Sequence, residues 1–220
     1  MALILCIETA TTNCSVALAA NGGVLAVKED NSNNYSHAEK LHIYIQEILK
    51  ENNFSLQDLD AVAISKGPGS YTGLRIGVSA AKGLCFSLDI PLISIPTLKS
   101  LALQLTDRKD AIIIPMLDAR RMEVYSAVFD GSHKEIRETK AEILQEDSFS
   151  EYLEKGEVYF IGSGVKKFSE ICSHKNARFI EDKLPSAKEM GQPALAKYKI
   201  SDTEDVAYFE PYYLKDFIAG

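Results

Sequence analysis

The sequence lacks most of the features that would assign a chemistry at sight. It has no basic excess: Lys and Arg number 24 against 31 Asp and Glu, a net charge of −7. Affinity for a nucleic-acid backbone comes mainly from cations that neutralise phosphates, so this chain alone is a poor candidate for gripping RNA. Its four cysteines, Cys6, Cys14, Cys85 and Cys172, form neither a CxxC pair nor a disulfide framework. That spacing suits a reducing compartment, with the cytoplasm as default. No apolar run approaches a membrane-spanning length, and the apolar start MALILCIETA has no basic leader and is interrupted by Glu8, so neither an anchor nor a signal peptide is expected. There is no GxxxxGK[ST] loop for nucleotide phosphates and no GxSxG elbow for a serine nucleophile.

What the sequence does contain is concentrated between Ala61 and Leu88. Ala61 to Ser65 form a short continuous apolar run, which reads as a buried strand. Lys66 to Gly69 break the pattern, and from Thr72 onward the residues suit a helix. A loop of this kind can aim backbone N–H groups at an anion. The helix is unusual: Gly73, Gly77, Ala81 and Cys85 lie four apart and form a ridge with almost no side chain, although each interior Gly costs roughly 1 kcal/mol against Ala. Leu74, Val78 and Leu88 add an apolar stripe, with further apolar surface at Ile76, Ala80 and Leu84. A helix this apolar is buried on more than one side, either inside its own monomer or against another subunit.

Taken in order, the chain predicts strands at Leu3–Ile7, Cys14–Ala20 and Val24–Lys28, the last two joined by Asn-Gly-Gly. Ser36 to Glu39 match a capping box that opens a helix running to Lys50, with Leu41, Tyr44, Ile45, Ile48 and Leu49 on its apolar face. Beyond Leu88 follow a strand at Ile90–Ile95, a helix at Thr97–Leu105, and strands at Ala111–Leu117 and Glu123–Phe129. A slide of 110 residues lays ILCIETATTNCSVALAANG on IIPMLDARRMEVYSAVFDG, with Glu8 on Asp118. Val158–Ile161, the loop Gly162-Ser163-Gly164 and a helix over Val165–Cys172 then repeat the order strand, loop, helix. The echo predicts two α/β half-domains, 1–106 and 107–220, around a cleft. A final helix is expected over Ser186–Lys199, and the aromatic tail AYFEPYYLKDF is expected to dock on the body.

The segments IETATTNCSVAL, YSHAEKLHIYI, SKGPGSYTGLRIGVSAAKGL, LDARRMEVY and EPYYLK together resemble the TsaB family, also called YeaZ, of the bacterial threonylcarbamoyladenosine tRNA-modification system. The most specific motif is GPGSYTGLRIG, and the resemblance runs from end to end. It implies the actin-like ATPase fold, a duplicated ribonuclease H-like architecture. It implies a subunit that leaves catalysis to its paralogue TsaD, binds TsaD as a heterodimer, is joined by TsaE, meets tRNA only through the complex and pairs with itself in isolation. No cofactor is required by such a chain. The family's pairing surface is built from the two helices matching Ser36–Lys50 and Thr72–Leu88, which nominates His37, Leu41, Tyr44, Ile45, Ile48, Gly73, Leu74, Gly77, Val78 and Ala81.

Competing chemistry is also nominated. In this architecture acids at the ends of first strands can hold a metal–nucleotide complex, so Glu8, Thr11, Gly67, Gly69, Asp118, Gly162 and Gly164 are candidates for weak ATP or ADP binding. An actin-like ATPase or phosphotransferase working in the cleft is the alternative function, and a peptidase a more distant one. Glu8 stands where active members of the fold usually have Asp, and its longer arm would displace a metal. His37 and His42 are five apart, about 140° around a helix, so no metal pair is expected from them. His133 and His174 lie in polar turns and read as solvated. Ser70 and Ser163 read as helix caps, the cysteines as small apolar fillers, and Asp118, Arg120, Arg121 and Glu123 as either a structural ion-pair cluster or a contact for tRNA or a partner.

Overall fold

The computed structural model describes residues 1–31, 37–108 and 110–215. The chain forms two compact units, residues 1–100 joined by the chain from Pro185 onward, and residues 101–184. In the first, β1 (Leu3–Glu8), β2 (Cys14–Ala20) and β3 (Gly23–Asp30) form an antiparallel meander, and β4 (Ala61–Ser65) and β5 (Leu92–Ile95) add parallel strands beside β1. The sheet order is β3-β2-β1-β4-β5. The β2–β3 turn has positive φ at both Asn21 and Gly22, the primed geometry that matches strand twist and that Asn-Gly favours.

One face of this sheet is covered by α1 (His37–Glu51) and α2 (Tyr71–Leu88). Val16, Leu18, Val62 and Ile64 there meet Leu41, Ile45, Ile48, Val78, Ala81 and Cys85 in one apolar cluster. The cap expected at Ser36 lies outside the described residues. The opposite face presents Ile4, Cys6, Ala17, Ala63 and Ile93, and is covered by Ala187 and Met190 of a 3-10 turn and by Ala194 and Leu195 of the last helix. This overturns the expected division at 106/107 for the tail: residues 185–215 complete the first unit, not the second. The reason is general, since a sheet with buried central strands needs both faces covered.

The second unit repeats the plan. β6 (Ile112–Asp118), β7 (Glu123–Asp130), β8 (Glu135–Ile143), β9 (Val158–Ile161) and β10 (Ala177–Ile180) give the order β10-β9-β6-β7-β8, the same as in the first unit. The echo read from the sequence is therefore a real duplication, with Glu8 and Asp118 each the last residue of a first strand. Its core stacks Phe149, Phe160, Phe168 and Phe179, ring centroids 4.9–5.9 Å apart. β8 and β10 escaped the sequence reading, the first because its residues alternate charges at the sheet edge, the second because four residues make too short a pattern. Three helices are shorter than expected: α3 spans Thr97–Ala102, α5 spans Val165–Ser169, and α6 spans Gly191–Lys199 after the 3-10 turn, with Pro193 tolerated in its first turn. Between β8 and β9 lies the one-turn α4 (Ser150–Leu153).

Candidate functional site: the second helix and the loops that hold it

The glycine ridge of α2 faces inward. A Cβ at Gly69 would stand less than 3.0 Å from Ala10 O, one at Gly73 equally close to Thr9 O, and one at Gly77 equally close to Thr9 Oγ1. The loop between β1 and β2 thus lies in the groove that the missing side chains leave. Thr9 Oγ1 donates to Gly73 O at 2.8 Å and Ser70 N–H to Ala10 O at 2.7 Å. From the other side His37 Nε2 bonds Thr11 O at 2.7 Å. A carbonyl only accepts, so this nitrogen carries the proton; burial holds His37 below its ordinary pKa and favours that neutral ring. His37 therefore fastens the start of α1 to the same loop.

The glycine loop after β4 is equally committed to the protein. Ser65 Oγ and Thr97 Oγ1 are 2.7 Å apart, Gly67 N–H donates to Thr97 Oγ1 at 3.1 Å, and Lys66 N–H donates to Ile95 O. Ser70 caps α2, as read from the sequence, by accepting from Gly73 N–H. In the second unit Gly164 N–H donates to Met116 O and Gly162 N–H to Ile180 O, and a Cβ on either glycine would crowd the β6 end. Both glycine loops bring backbone close to a first strand, and these donors already have acceptors.

The two acids differ. Glu8 is fully buried; its Oε1 accepts from Ala10 N–H at 2.6 Å, and Oε2 has no partner. Burial pushes its pKa up to about 7, with the Ala10 N–H and the Ser65 hydroxyl opposing that shift. Asp118 is exposed. Its Oδ1 accepts from Arg120 N–H at 2.6 Å and from Lys167 Nζ at 3.0 Å, and Lys167 also donates to Arg121 O and Glu123 O. That geometry ties the β6–β7 hairpin to α5 and supports the structural reading of the cluster, while Arg120 and Arg121 are exposed at the turn. Ser163 accepts from Asp118 N–H instead of capping a helix, and His133, expected to be solvated, is half-buried with Nε2 bonded to Leu105 O.

The nominated pairing residues are the main correction. His37, Leu41, Ile45, Ile48, Gly73, Leu74, Gly77, Val78 and Ala81 are buried within this chain, and only Tyr44 keeps part of its surface. They form the support of the two helices and have no surface left to offer. What the helices present outward is a different set: Ile43, half exposed, on α1, and half-buried Ile76, Ala80 and Leu84 with exposed Gly83 and Phe86 on α2. Phe86 is 84% exposed and nothing lies within 4 Å of a Cβ placed on Gly83. The sequence signal was available, because these residues lie one step round the helix from the buried stripe.

The third side of α2 is closed by the tail, which docks as expected. Glu204 N–H donates to Leu92 O at the free edge of β5, Lys82 Nζ donates to Ala207 O and Phe209 O, and Tyr212 N–H donates to Lys66 O. Tyr213 packs on Tyr71 with centroids 5.0 Å apart. These contacts run the tail antiparallel to α2, from Lys82 back to its first turn. Among the described residues, no group of three or more His, Cys, Asp and Glu could hold a metal ion, and no helix is long and apolar enough to cross a membrane.

Two units of the same five-stranded order, each with helices on the sheet, define the duplicated ribonuclease H-like class, the actin-like ATPase fold. A family profile described as TsaD, tRNA N6-adenosine threonylcarbamoyltransferase, matches residues 15–219. The chain is 33% identical to the tRNA threonylcarbamoyladenosine biosynthesis protein TsaB of Escherichia coli K12, over 98% of this chain and 96% of that one. It is 30% identical to the protein of the same name from Haemophilus influenzae, over 97% and 93%. The solved structure of YeaZ from Pseudomonas aeruginosa superposes with a TM-score of 0.80 at 24% identity, over 97% of this chain and all of that one. The chain belongs to the TsaB (YeaZ) family.

Proposed function

We propose that this chain serves the biosynthesis of threonylcarbamoyladenosine in tRNA, in the cytoplasm, as a subunit without catalytic chemistry of its own that pairs with TsaD. TsaE joins the pair, tRNA is met through the complex, and in isolation the same surface supports a homodimer. The observation that carries this reading is the outward apolar set of α1 and α2: Ile43, Ile76, Ala80, Gly83, Leu84 and Phe86 lie on two helices whose inner faces are packed in the core of the first unit. Apolar and aromatic residues with a small residue between them are what a helix-packing interface uses.

The chemical alternatives draw less support. Burial pushes Cys6 and Cys85 up to about 12 and Cys14 to about 11, so these thiols stay protonated. Glu8 is enclosed, and Asp118 is engaged by Lys167. The test is titration calorimetry of the purified chain with TsaD from the same source, alongside Ile43→Asp and Gly83→Arg. Both variants are expected to keep the parent Tm and to weaken binding about tenfold or more. Unaltered affinity in both would remove this surface, and no binding by the parent chain would remove the reading.

A further inference from the structure

The turn between β6 and β7 sets two arginines in a conformation that arginine disfavours. Arg120 and Arg121 both lie in the left-handed region, with φ of 72° and 49°. There a Cβ crowds the following carbonyl oxygen, so glycine and asparagine are the usual occupants. This chain follows that rule in the turn between β2 and β3, where Asn21 and Gly22 take the two positive φ values, 49° and 82°. The backbone alone does not select Arg-Arg.

Hydrogen bonds fix the unfavourable shape. Arg120 N–H donates to Asp118 Oδ1 at 2.6 Å, Glu123 N–H to Arg120 O at 3.1 Å, and Lys167 Nζ to Arg121 O at 2.6 Å. Leu144 N–H donates to Met122 O at 2.8 Å, which ties the far side of the turn to the chain after β8. The side chains are left out of this bracing: both arginines are exposed, and among the described residues no hydrogen bond or ion pair engages either guanidinium. The neighbouring acid is already balanced, because Asp118 Oδ1 also accepts from Lys167 Nζ at 3.0 Å. Lys166 is exposed on the same helix as Lys167. In a chain of net charge −7 the result is a small positive window on a fixed turn.

Two adjacent unpaired guanidiniums suit phosphate oxygens, which the planar N–H fork meets in parallel bonds. Such contacts are made by exposed cations and fix orientation without reading sequence, whereas an arginine that anchors a protein interface is typically set in a packed pocket. We propose that Arg120 and Arg121 contact phosphates of the tRNA backbone when this chain is paired with TsaD. The proposal rests on the function proposed above and adds to it a direct RNA contact from this subunit. It supplements the partner's grip, since the overall charge of the chain opposes RNA binding by the chain alone.

The test measures binding of an unmodified tRNA transcript to the pair of this chain and TsaD from about 50 to about 200 mM NaCl, with TsaD affinity and Tm measured on the same proteins. Arg120→Asn combined with Arg121→Gly gives the turn the residues its backbone prefers. Its Tm is expected to rise by about 2–4 °C and its TsaD affinity to hold, while tRNA binding weakens about tenfold and the slope of log affinity on log salt becomes shallower by about 1–2. Arg120→Lys combined with Arg121→Lys should keep the slope, because both charges remain. Unaltered tRNA affinity and slope in the Asn-Gly variant overturn the proposal, and so does an equal loss of TsaD affinity, which would turn the pair toward a protein. A parent chain that does not bind TsaD overturns the underlying reading as well, whereas an intact pair with an unaltered slope overturns this proposal alone.

Discussion

Glu8 is a carboxylate that the fold surrounds with almost nothing charged. With its pKa raised to about 7, the folded protein resists ionising it, while the unfolded chain ionises it near the ordinary value of 4.5. Stability tied to this group is therefore full below about pH 4.5 and falls as pH rises through about 7, by an amount on the order of 3 kcal/mol. Glu8→Gln should be more stable than the parent at pH 8 in urea denaturation and should lose that advantage at pH 4. A parent curve as stable at pH 8 as at pH 5, matched by the variant, would show that Glu8 ionises freely. The position of this acid at the end of the first strand was legible in the sequence. Its enclosure was not, because burial at a strand end depends on which loop folds over it, here the one that places Thr9 and Ala10 on α2.

At the scale of the element, α2 carries two kinds of glycine that look alike in sequence. Gly73 meets the backbone of Thr9, whereas Gly83 meets nothing. Gly73→Ala is expected to lower stability by about 1–3 kcal/mol through overpacking, despite the roughly 1 kcal/mol that Ala contributes in helix propensity. Gly83→Ala should instead raise stability by up to about 1 kcal/mol, since only propensity changes. Thermal or urea melts of the two side by side check this, and a neutral Gly73→Ala would mean that the groove has room. The periodicity of 3.6 residues gave the helix, its small ridge and its apolar stripe. It could not say which of the two faced the body of the protein, since a ridge without side chains fits a loop backbone and a partner helix equally well. For the same reason Leu41, Ile45, Leu74 and Val78 read as interface residues and are core.

At the scale of the whole molecule, the chain beyond Pro185 belongs with the first unit, and its tail holds α2 from the side. Ending the chain at Thr203 removes the Glu204 pairing at the β5 edge, the Lys82 bonds and the packing of Val206 and Phe209 on the core cluster. Partial burial of those two side chains suggests a loss of roughly 2–4 kcal/mol in urea denaturation, with a stronger tendency to associate through the uncovered strand edge. An unchanged midpoint would make the tail a passive covering.

Local chemistry fixed much of this protein before any folding. Apolar runs set the strands, Asn21-Gly22 set the hairpin, and the repeat of Glu8 on Asp118 announced the duplication, because each depends on residues near one another in the chain. Three matters were decided only by tertiary structure: that the last helix crosses back to cover the first sheet, that the glycine ridge receives a loop, and that Asn13 and Ser15 meet Pro185, Ser186 and Ala187. Each joins groups far apart in sequence, and their contact is set by which apolar faces are left to be buried once the local elements have formed.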